Sequence, residues 1–196
     1  MRIIAGTHRG RRLRAPKGMR TRPTTDRVRE ALFSILGNIH DQRVIDCYSG
    51  TGALGIEAVS RGARNAILVE ADLAAIKTIR SNLEELGLNE RCDPWHNRVE
   101  NLSRRLAGGP PLDLVLADPP WPIAQAAAEV VAKVLPRFLA KGATVVLGHP
   151  TRSPVEVPER SLLRLVERRS WGDSGLSFYR YEPAGGSPVE SQPPLD

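Results

Sequence analysis

The sequence predicts an α/β fold in which helices cover both faces of a parallel sheet. Two observations support this prediction. Strand-like segments alternate with amphipathic helical segments along most of the chain, as expected when helical crossovers connect parallel strands. The strand-like segment 112–117 is apolar throughout rather than alternating, which is typical of a strand buried on both faces.

The individual elements follow in order from about residue 25. Apolar residues spaced i, i+3, i+4, i+7 and i+8 from Val28 predict a first helix that begins after Thr25. Gly62 and Gly87 are expected to end the next two helices. Pro94 interrupts the third strand, which we therefore expect near a sheet edge. The predicted strands are 43–47, 65–70, 91–96, 112–117 and 143–147, and the later helices are 53–61, 73–86, a short one within 99–106, and 123–140.

The last part of the domain has a different pattern. Segments 162–171 and 176–182 are joined by residues 172–175, which are rich in glycine, and we expect a β-hairpin there. Residues 183–196 are rich in proline, glycine and serine and are expected to be a disordered tail.

Length and composition narrow the class of protein. The chain has 196 residues, of which 41% are hydrophobic, enough for one domain with a buried core. No apolar run approaches the roughly 20 residues of a membrane span. Cys47 and Cys92 are too few for a disulfide framework, and the four histidines show no metal-ligand spacing. We therefore expect a cytoplasmic monomer with no membrane partner and no metal.

Positive charge is concentrated at the start of the chain. The net charge is +6, yet residues 1–27 contain nine basic side chains and one acid, Asp26, so the remainder has a balance of −2. Arginine, which dominates this stretch, suits phosphate oxygens. We interpret residues 1–24 as a basic RNA-binding arm and 25–182 as the catalytic domain; a solvated tail or a presequence is the alternative for the arm. The predicted RNA-binding arginines are Arg9, Arg11, Arg12, Arg20, Arg22 and Arg27.

A glycine-rich loop follows the first predicted strand. Gly50, Gly52 and Gly55 satisfy the pattern G-x-G-x-x-G, and Glu70 ends the next strand, where its carboxylate would accept hydrogen bonds from ribose hydroxyls. Taken alone, this pattern fits a dinucleotide site. Asp46 stands immediately before the loop, however, and would repel a pyrophosphate while attracting a cationic ligand. S-adenosylmethionine, with its ammonium, sulfonium and ribose, is therefore the predicted cofactor.

A second motif, Asp118-Pro119-Pro120-Trp121, follows the apolar fourth strand. The prolines stiffen the backbone, so the Asp118 carboxylate and the Pro119 carbonyl would accept hydrogen bonds from a planar amino group. Such bonds orient the nitrogen lone pair and strengthen as positive charge develops on the nitrogen. Trp121 offers a flat face for an extruded base. The motif predicts methyl transfer to an exocyclic nitrogen.

These motifs resemble the bacterial 16S rRNA guanine-N2 methyltransferases of the RsmD type. The resemblance covers about residues 1–182 and includes Arg2–Gly6, Arg22–Phe33, Gly50–Ala63 and Asp118–Trp121. It implies a Rossmann-like sheet of seven strands ordered 3-2-1-4-5-7-6, with the last strand antiparallel. It also implies methylation of the exocyclic N2 of a guanine, of the position-966 type, in 16S rRNA, free or within a 30S subunit. The implied cofactor positions are Asp46, Gly50, Gly52, Glu70 and Asn97, and we add Ser49, Thr51, Ala71 and Asp118 beside them.

The sequence departs from the family at three places. The loop has Cys-Tyr-Ser-Gly-Thr where Leu-Phe-Ala-Gly-Ser is usual, and Trp121 replaces a tyrosine or phenylalanine. Gly148-His149 ends the fifth strand where a polar acidic residue is expected, and no role is assigned to it. Three rival functions remain: methylation of DNA adenine, another RNA or a protein glutamine; an inactive RNA-binding module; and a nicotinamide-dependent oxidoreductase.

Overall fold

The computed structural model describes residues 1–15 and 25–183. Within those ranges, seven strands form a single sheet. The strands are β1 (Arg43–Cys47), β2 (Asn65–Glu70), β3 (Cys92–His96), β4 (Leu112–Ala117), β5 (Leu139–Pro150), β6 (Leu163–Trp171) and β7 (Ser174–Tyr181). The α-helices are α1 (Asp26–Leu36), α2 (Ala53–Ser60), α3 (Leu73–Leu86), α4 (Ser103–Leu106) and α5 (Ala124–Val134).

The strand order confirms the topology that the family resemblance implies. The order is β3-β2-β1-β4-β5-β7-β6. Strands β1 to β5 run parallel, and β7 is antiparallel to both of its neighbours. Strand β3 lies at one edge, as Pro94 predicts, because a residue without an N–H is tolerated best where one side of the strand is unpaired.

The sequence signals at the helix ends act as expected. The Thr25 hydroxyl accepts a hydrogen bond from the Val28 N–H and caps α1, and Asp72 caps α3 by accepting from Ala75 N–H at 2.7 Å. Gly87 ends α3 in the left-handed conformation, with φ of 67°. These caps fix where α3 begins and ends over the sheet.

Three predicted boundaries in the second half were wrong. Helix α5 ends at Val134 rather than 140, because Pro136 has no N–H to continue it and starts a short 3₁₀ turn. Strand β5 begins at Leu139, which pairs with Leu112, and it continues to Pro150. The β6–β7 turn contains two residues instead of four, since pairing continues to Trp171 and Ser174.

The sheet separates two hydrophobic cores. The first lies against α1, α2 and α3 and includes Ile3 and Leu13 from the start of the chain. The second lies against α4 and α5 and includes Trp95 and Tyr179. Within the described ranges, no helix has the length and apolar character needed to cross a membrane.

Residues 1–15, here called the N-terminal segment, pack onto the domain rather than away from it. Ile3 is 1% exposed and Leu13 is 5% exposed. The buried carboxylate of Glu57 on α2 accepts hydrogen bonds from the backbone N–H groups of Ile4 and Ala5, at 2.8 and 3.0 Å. Gly6 has φ of 83°, and a Cβ there would overlap the backbone of Ser60. The basic positions Lys17, Arg20 and Arg22 and the tail from 184 to 196 lie outside the described residues.

Candidate cofactor and catalytic site

Three predicted site carboxylates lie together at the carboxyl ends of neighbouring strands. Cys47 at the end of β1 is in register with Val69 on β2 and Ala117 on β4. Asp46, Glu70 and Asp118 therefore come from the carboxyl ends of three adjacent parallel strands, which is where open α/β sheets bind ligands. The charges of Asp118 and Glu70 both act on the Asp46 carboxyl.

Asp46 is almost completely buried and holds the glycine loop. It is 1% exposed, and its Oδ2 accepts hydrogen bonds from the Ser49 hydroxyl and the Gly55 N–H, each at 2.9 Å. Burial raises the pKa of Asp46 to about 7, although both hydrogen bonds oppose the increase. A cationic ligand nearby would favour the ionised form.

The loop backbone requires its glycines at two positions. Gly52 has φ of 79°, and a Cβ there would lie 3.1 Å from the Ile56 side chain. At Gly55 a Cβ would overlap the Leu68 side chain and lie 3.2 Å from the Cβ of Asp46. Tyr48 also has a positive φ, 60°, which is uncommon for an aromatic residue. The turn brings the backbone close to the sheet at the strand ends.

Glu70 fastens the loop from the neighbouring strand. One carboxylate oxygen accepts a hydrogen bond from Gly50 N–H at 2.8 Å, and the other accepts from Ala71 and Asp72 N–H at 2.8 and 2.9 Å. The side chain is half-buried. A carboxylate has about four acceptor positions, so these three bonds leave acceptor capacity for a hydroxyl.

Asn97 lies beside this loop at the end of β3. Its backbone N–H donates to the Glu70 carbonyl at 3.0 Å, and its side-chain oxygen accepts from Arg98 N–H at 2.8 Å. The half-buried side chain lines a cavity of about 730 Å³. The other lining residues are Glu100, Asn101, Ser103, Arg104 and Arg105.

The Asp-Pro-Pro-Trp motif lies directly after β4. Pro119 is buried, Pro120 is exposed, and Trp121 is 40% exposed at the start of a 3₁₀ turn that precedes α5. The half-buried Asp118 side chain lies over Gly148 of β5, where a Cβ would approach the Asp118 Cγ to 3.0 Å. Position 148, which had no predicted role, therefore borders the motif.

Asn82 is a second site neighbour that the sequence motifs do not identify. It is 1% exposed on α3, and its side-chain amide donates to the Thr51 carbonyl of the glycine loop at 3.2 Å. The signal for it is a polar residue on the helix face that Ile79, Leu83 and Leu86 bury. Ser49 and Thr51 are themselves buried, at 8% and 4% exposure, whereas Ala71 is exposed.

The described arginines proposed for RNA lie on the surface. Arg9, Arg11, Arg12 and Arg27 are all exposed. The guanidinium of Arg11 donates to the Glu85 carbonyl at 2.8 Å. Among residues 1–15 and 25–183, no group of three or more His, Cys, Asp or Glu side chains could hold a metal ion.

Comparison with known proteins places the chain in a family. The model of the family described as conserved hypothetical protein 95 matches residues 1–180. The protein YlbH of Bacillus subtilis is 34% identical over 186 residues, covering 92% of this chain and 98% of the relative. Ribosomal RNA small subunit methyltransferase D of Escherichia coli K12 is 42% identical over 122 residues, and this match spans 62% of the chain and 60% of the relative's length.

A solved structure agrees over nearly the whole chain. The Escherichia coli protein yhhF has a TM-score of 0.76 and 32% sequence identity, covering 93% of this chain and 98% of that one. Sequence, site geometry and fold therefore agree. The chain belongs to the family described as conserved hypothetical protein 95, which is the RsmD family that its motifs resemble.

Proposed function

We propose that this protein is an S-adenosylmethionine-dependent methyltransferase that modifies the exocyclic N2 of a guanine in 16S rRNA. The observation that carries the proposal is the position of the Asp118–Trp121 motif directly after β4, next to β1 and its glycine loop with Asp46 and Glu70. Family membership supports it, because a relative is named ribosomal RNA small subunit methyltransferase D. The guanine N2 specificity rests on family resemblance.

The residues at the edge of the sheet fit S-adenosylmethionine. Asp46 provides negative charge beneath the loop, and Glu70 has acceptor capacity for ribose hydroxyls. The Asn97 carboxamide borders a cavity of about 730 Å³, where it would meet the adenine edge. A side chain on Gly52 would crowd the Ile56, Leu68 and Ile79 side chains and so displace the loop that must approach the ligand. When bound, this cofactor supplies a methyl group from a positively charged sulfur.

Asp118 and Pro119 would orient the target nitrogen. The carboxylate and the Pro119 carbonyl accept hydrogen bonds from the exocyclic amine, so its lone pair points toward the methyl donor. These acceptors become more favourable as the nitrogen gains positive charge. Trp121, exposed beside them, stacks on the flipped guanine. We assign no covalent nucleophile.

The exposed arginines would hold the RNA backbone. Arg9, Arg11 and Arg12 on the N-terminal segment and Arg27 on α1 are accessible to phosphates, and Arg20 and Arg22 belong to the same proposal by sequence. The substrate is the rRNA itself or the 30S particle that contains it. A cytoplasmic, monomeric enzyme is consistent with that substrate.

One assay tests the proposal directly. Labelled S-adenosylmethionine is offered to unmodified 16S rRNA, to 30S particles lacking the modification and to DNA, and the nucleosides are then analysed. We expect label only in N2-methylguanosine from the RNA-containing substrates, and none with Asp118→Ala, although calorimetry should still detect cofactor binding to that variant. Label in methyladenosine or in DNA alone would refute the substrate, and full activity of Asp118→Ala would refute the mechanism.

A further inference from the structure

The Asn82 side chain forms hydrogen bonds to two segments that are far apart in sequence, the N-terminal segment and the glycine loop. Its Nδ2 donates to the Arg14 carbonyl and to the Thr51 carbonyl, each at 3.2 Å, while its Oδ1 accepts from Arg14 N–H at 2.8 Å. The side chain is 1% exposed, so water does not readily replace any of these bonds. Arg14 belongs to the N-terminal segment and Thr51 to the glycine loop.

Other contacts reinforce the same junction. The Thr51 hydroxyl lies 3.6 Å from the Met1 sulfur and donates to it. The Glu57 carboxylate that binds Ile4 and Ala5 belongs to α2, which begins directly after the loop. The N-terminal segment thus contacts the loop, the helix that follows it, and α3.

The exposed arginines connect this junction to the proposed RNA binding. Arg9, Arg11 and Arg12 lie on the N-terminal segment, within five residues of Arg14. Phosphates bound there would restrict the segment and, through Asn82, the Thr51 carbonyl. A loop already ordered loses less conformational entropy when a second ligand binds, so the two binding events favour each other.

We propose that Asn82 is a positioning residue that couples RNA binding on the N-terminal segment to cofactor binding at the glycine loop. This inference rests on the proposed function. Because coupling is reciprocal, RNA tightens cofactor binding by the same factor by which cofactor tightens RNA binding. Asn82 would act through Arg14 and Thr51, because its three side-chain hydrogen bonds all go to the backbone of those two residues.

The test measures the affinity for S-adenosylhomocysteine, which has no methyl group to transfer, with and without saturating 30S particles that lack the modification. In the wild-type protein we expect binding to be at least about fivefold tighter with RNA, at the lower end of usual allosteric couplings. A change below twofold in the wild type overturns the inference, whether or not any variant folds.

Two variants and one control test whether the coupling depends on Asn82. Asn82→Ala, and Asn82→Asp, which keeps an acceptor for Arg14 but has no N–H for Thr51, should reduce the coupling below twofold. Glu84→Gln, at an exposed position on the same helix, leaves all three Asn82 bonds in place and should keep it. A purely structural role predicts a lower melting temperature with unchanged coupling, and that result overturns the inference.

Methyl transfer by the same wild-type preparation separates the two proposals. Transfer to unmodified 30S particles without coupling overturns only the role of Asn82. Absence of both transfer and S-adenosylhomocysteine binding overturns the proposed function and the inference with it.

Discussion

The Asp118 carboxylate occupies the space that a side chain at Gly148 would fill. A Cβ at position 148 would lie 3.0 Å from the Asp118 Cγ, 3.2 Å from its Cα, and would overlap one carboxylate oxygen. Gly148 directly follows Leu147, the last β5 residue paired with β4, and itself pairs with Leu176 of β7, so the backbone at position 148 is held in place. The orientation of the proposed catalytic carboxylate depends on a glycine in the adjacent strand.

Gly148→Ala should therefore impair catalysis while sparing cofactor binding. The added methyl group displaces the carboxylate, and a misplacement of about 1 Å costs on the order of 100-fold in rate. We expect kcat to fall by roughly that factor with the S-adenosylmethionine affinity within a few-fold of wild type, measured by single-turnover methylation and calorimetry. Gly109→Ala, at the turn before β4, is the control, and equal activity of the two variants would contradict the prediction.

The buried Asp46 should make cofactor binding depend on pH. Its pKa is about 7 in the folded protein against 3.8 for the exposed group, so the ionised form that attracts a cation increases as the pH rises through 7. If only that form binds, affinity should be roughly fivefold weaker at pH 6 than at pH 7. Calorimetry at pH 6, 7 and 8 should show this slope in the wild type and in Glu84→Gln, but not in Asp46→Asn.

Ionisation of Asp46 has the opposite effect on stability: a higher pH favours cofactor binding but lowers the free energy of unfolding. Between about pH 3.8 and 7 the folded chain retains a proton on Asp46 that the unfolded chain has released. The contribution of this group to the free energy of unfolding therefore falls as the pH rises across that interval. Urea titrations at pH 5 and 8 should show Asp46→Asn gaining stability relative to the wild type at the higher pH, and a gain at pH 5 alone would contradict the assigned pKa.

Trp121 should contribute to RNA methylation and little to stability. It is 40% exposed and belongs to neither hydrophobic core, so Trp121→Ala opens no cavity in either core. Loss of base stacking costs about 1–3 kcal/mol, which corresponds to a decrease in kcat/KM for RNA of roughly 5- to 150-fold. Trp121→Phe should retain most activity, and melting temperatures of both variants should stay near the wild-type value. Equal activity of the alanine and phenylalanine variants would exclude stacking.

The N-terminal arginines should determine the salt dependence of RNA binding. Each phosphate contact to single-stranded RNA contributes about −0.7 to the slope of log affinity against log salt concentration. Arg9→Ala with Arg12→Ala should make that slope less steep by about 1.4, measured by fluorescence anisotropy between 50 and 200 mM salt. Lys133→Ala with Lys141→Ala removes the same charge from α5 and the start of β5, which pack in the second core rather than beside the N-terminal segment. An equal change there would argue against a specific surface.

Deleting the N-terminal segment is not an equivalent experiment. Ile3 and Leu13 are buried in the first core, and Glu57 would lose the two backbone N–H groups that it binds. A truncated protein would therefore lose stability together with RNA affinity. Charge-neutralising substitutions at exposed arginines separate the two effects.

Much of the fold was predictable because its signals are local. The i, i+3, i+4 spacing from Val28, the cap at Gly87 and the apolar run of β4 each depend on a few adjacent residues. The end of α5 was missed, although Pro136 was visible, because the apolar pattern continues into β5. A segment that is apolar throughout has no period by which to distinguish a helix from a buried strand.

The site was predictable where it follows motifs and not where it depends on packing. Asp46, Glu70 and Asp118 follow strand ends, and parallel strands bring those ends together. Nothing in the sequence indicates that Gly148 lies under Asp118 or that Asn82 reaches Arg14, because those contacts connect residues 30 or more positions apart. His149, which the motif comparison left without a role, is buried with Nε2 2.9 Å from the Ser177 hydroxyl, and burial lowers its pKa.

The docking of the N-terminal segment also determines when this part of the chain is able to fold. Ile4 and Ala5 find their partner 53 and 52 residues later, at Glu57, and Arg14 finds its partner 68 residues later, at Asn82. Such long-range contacts form slowly, because the intervening loop must close first. While the chain emerges from the ribosome, the arginine-rich segment therefore lacks its docking partners until α2 and α3 have been synthesised. In a nascent chain, the arginines that we propose to bind phosphates are therefore made before the helices that dock them and before the Asp118–Trp121 motif.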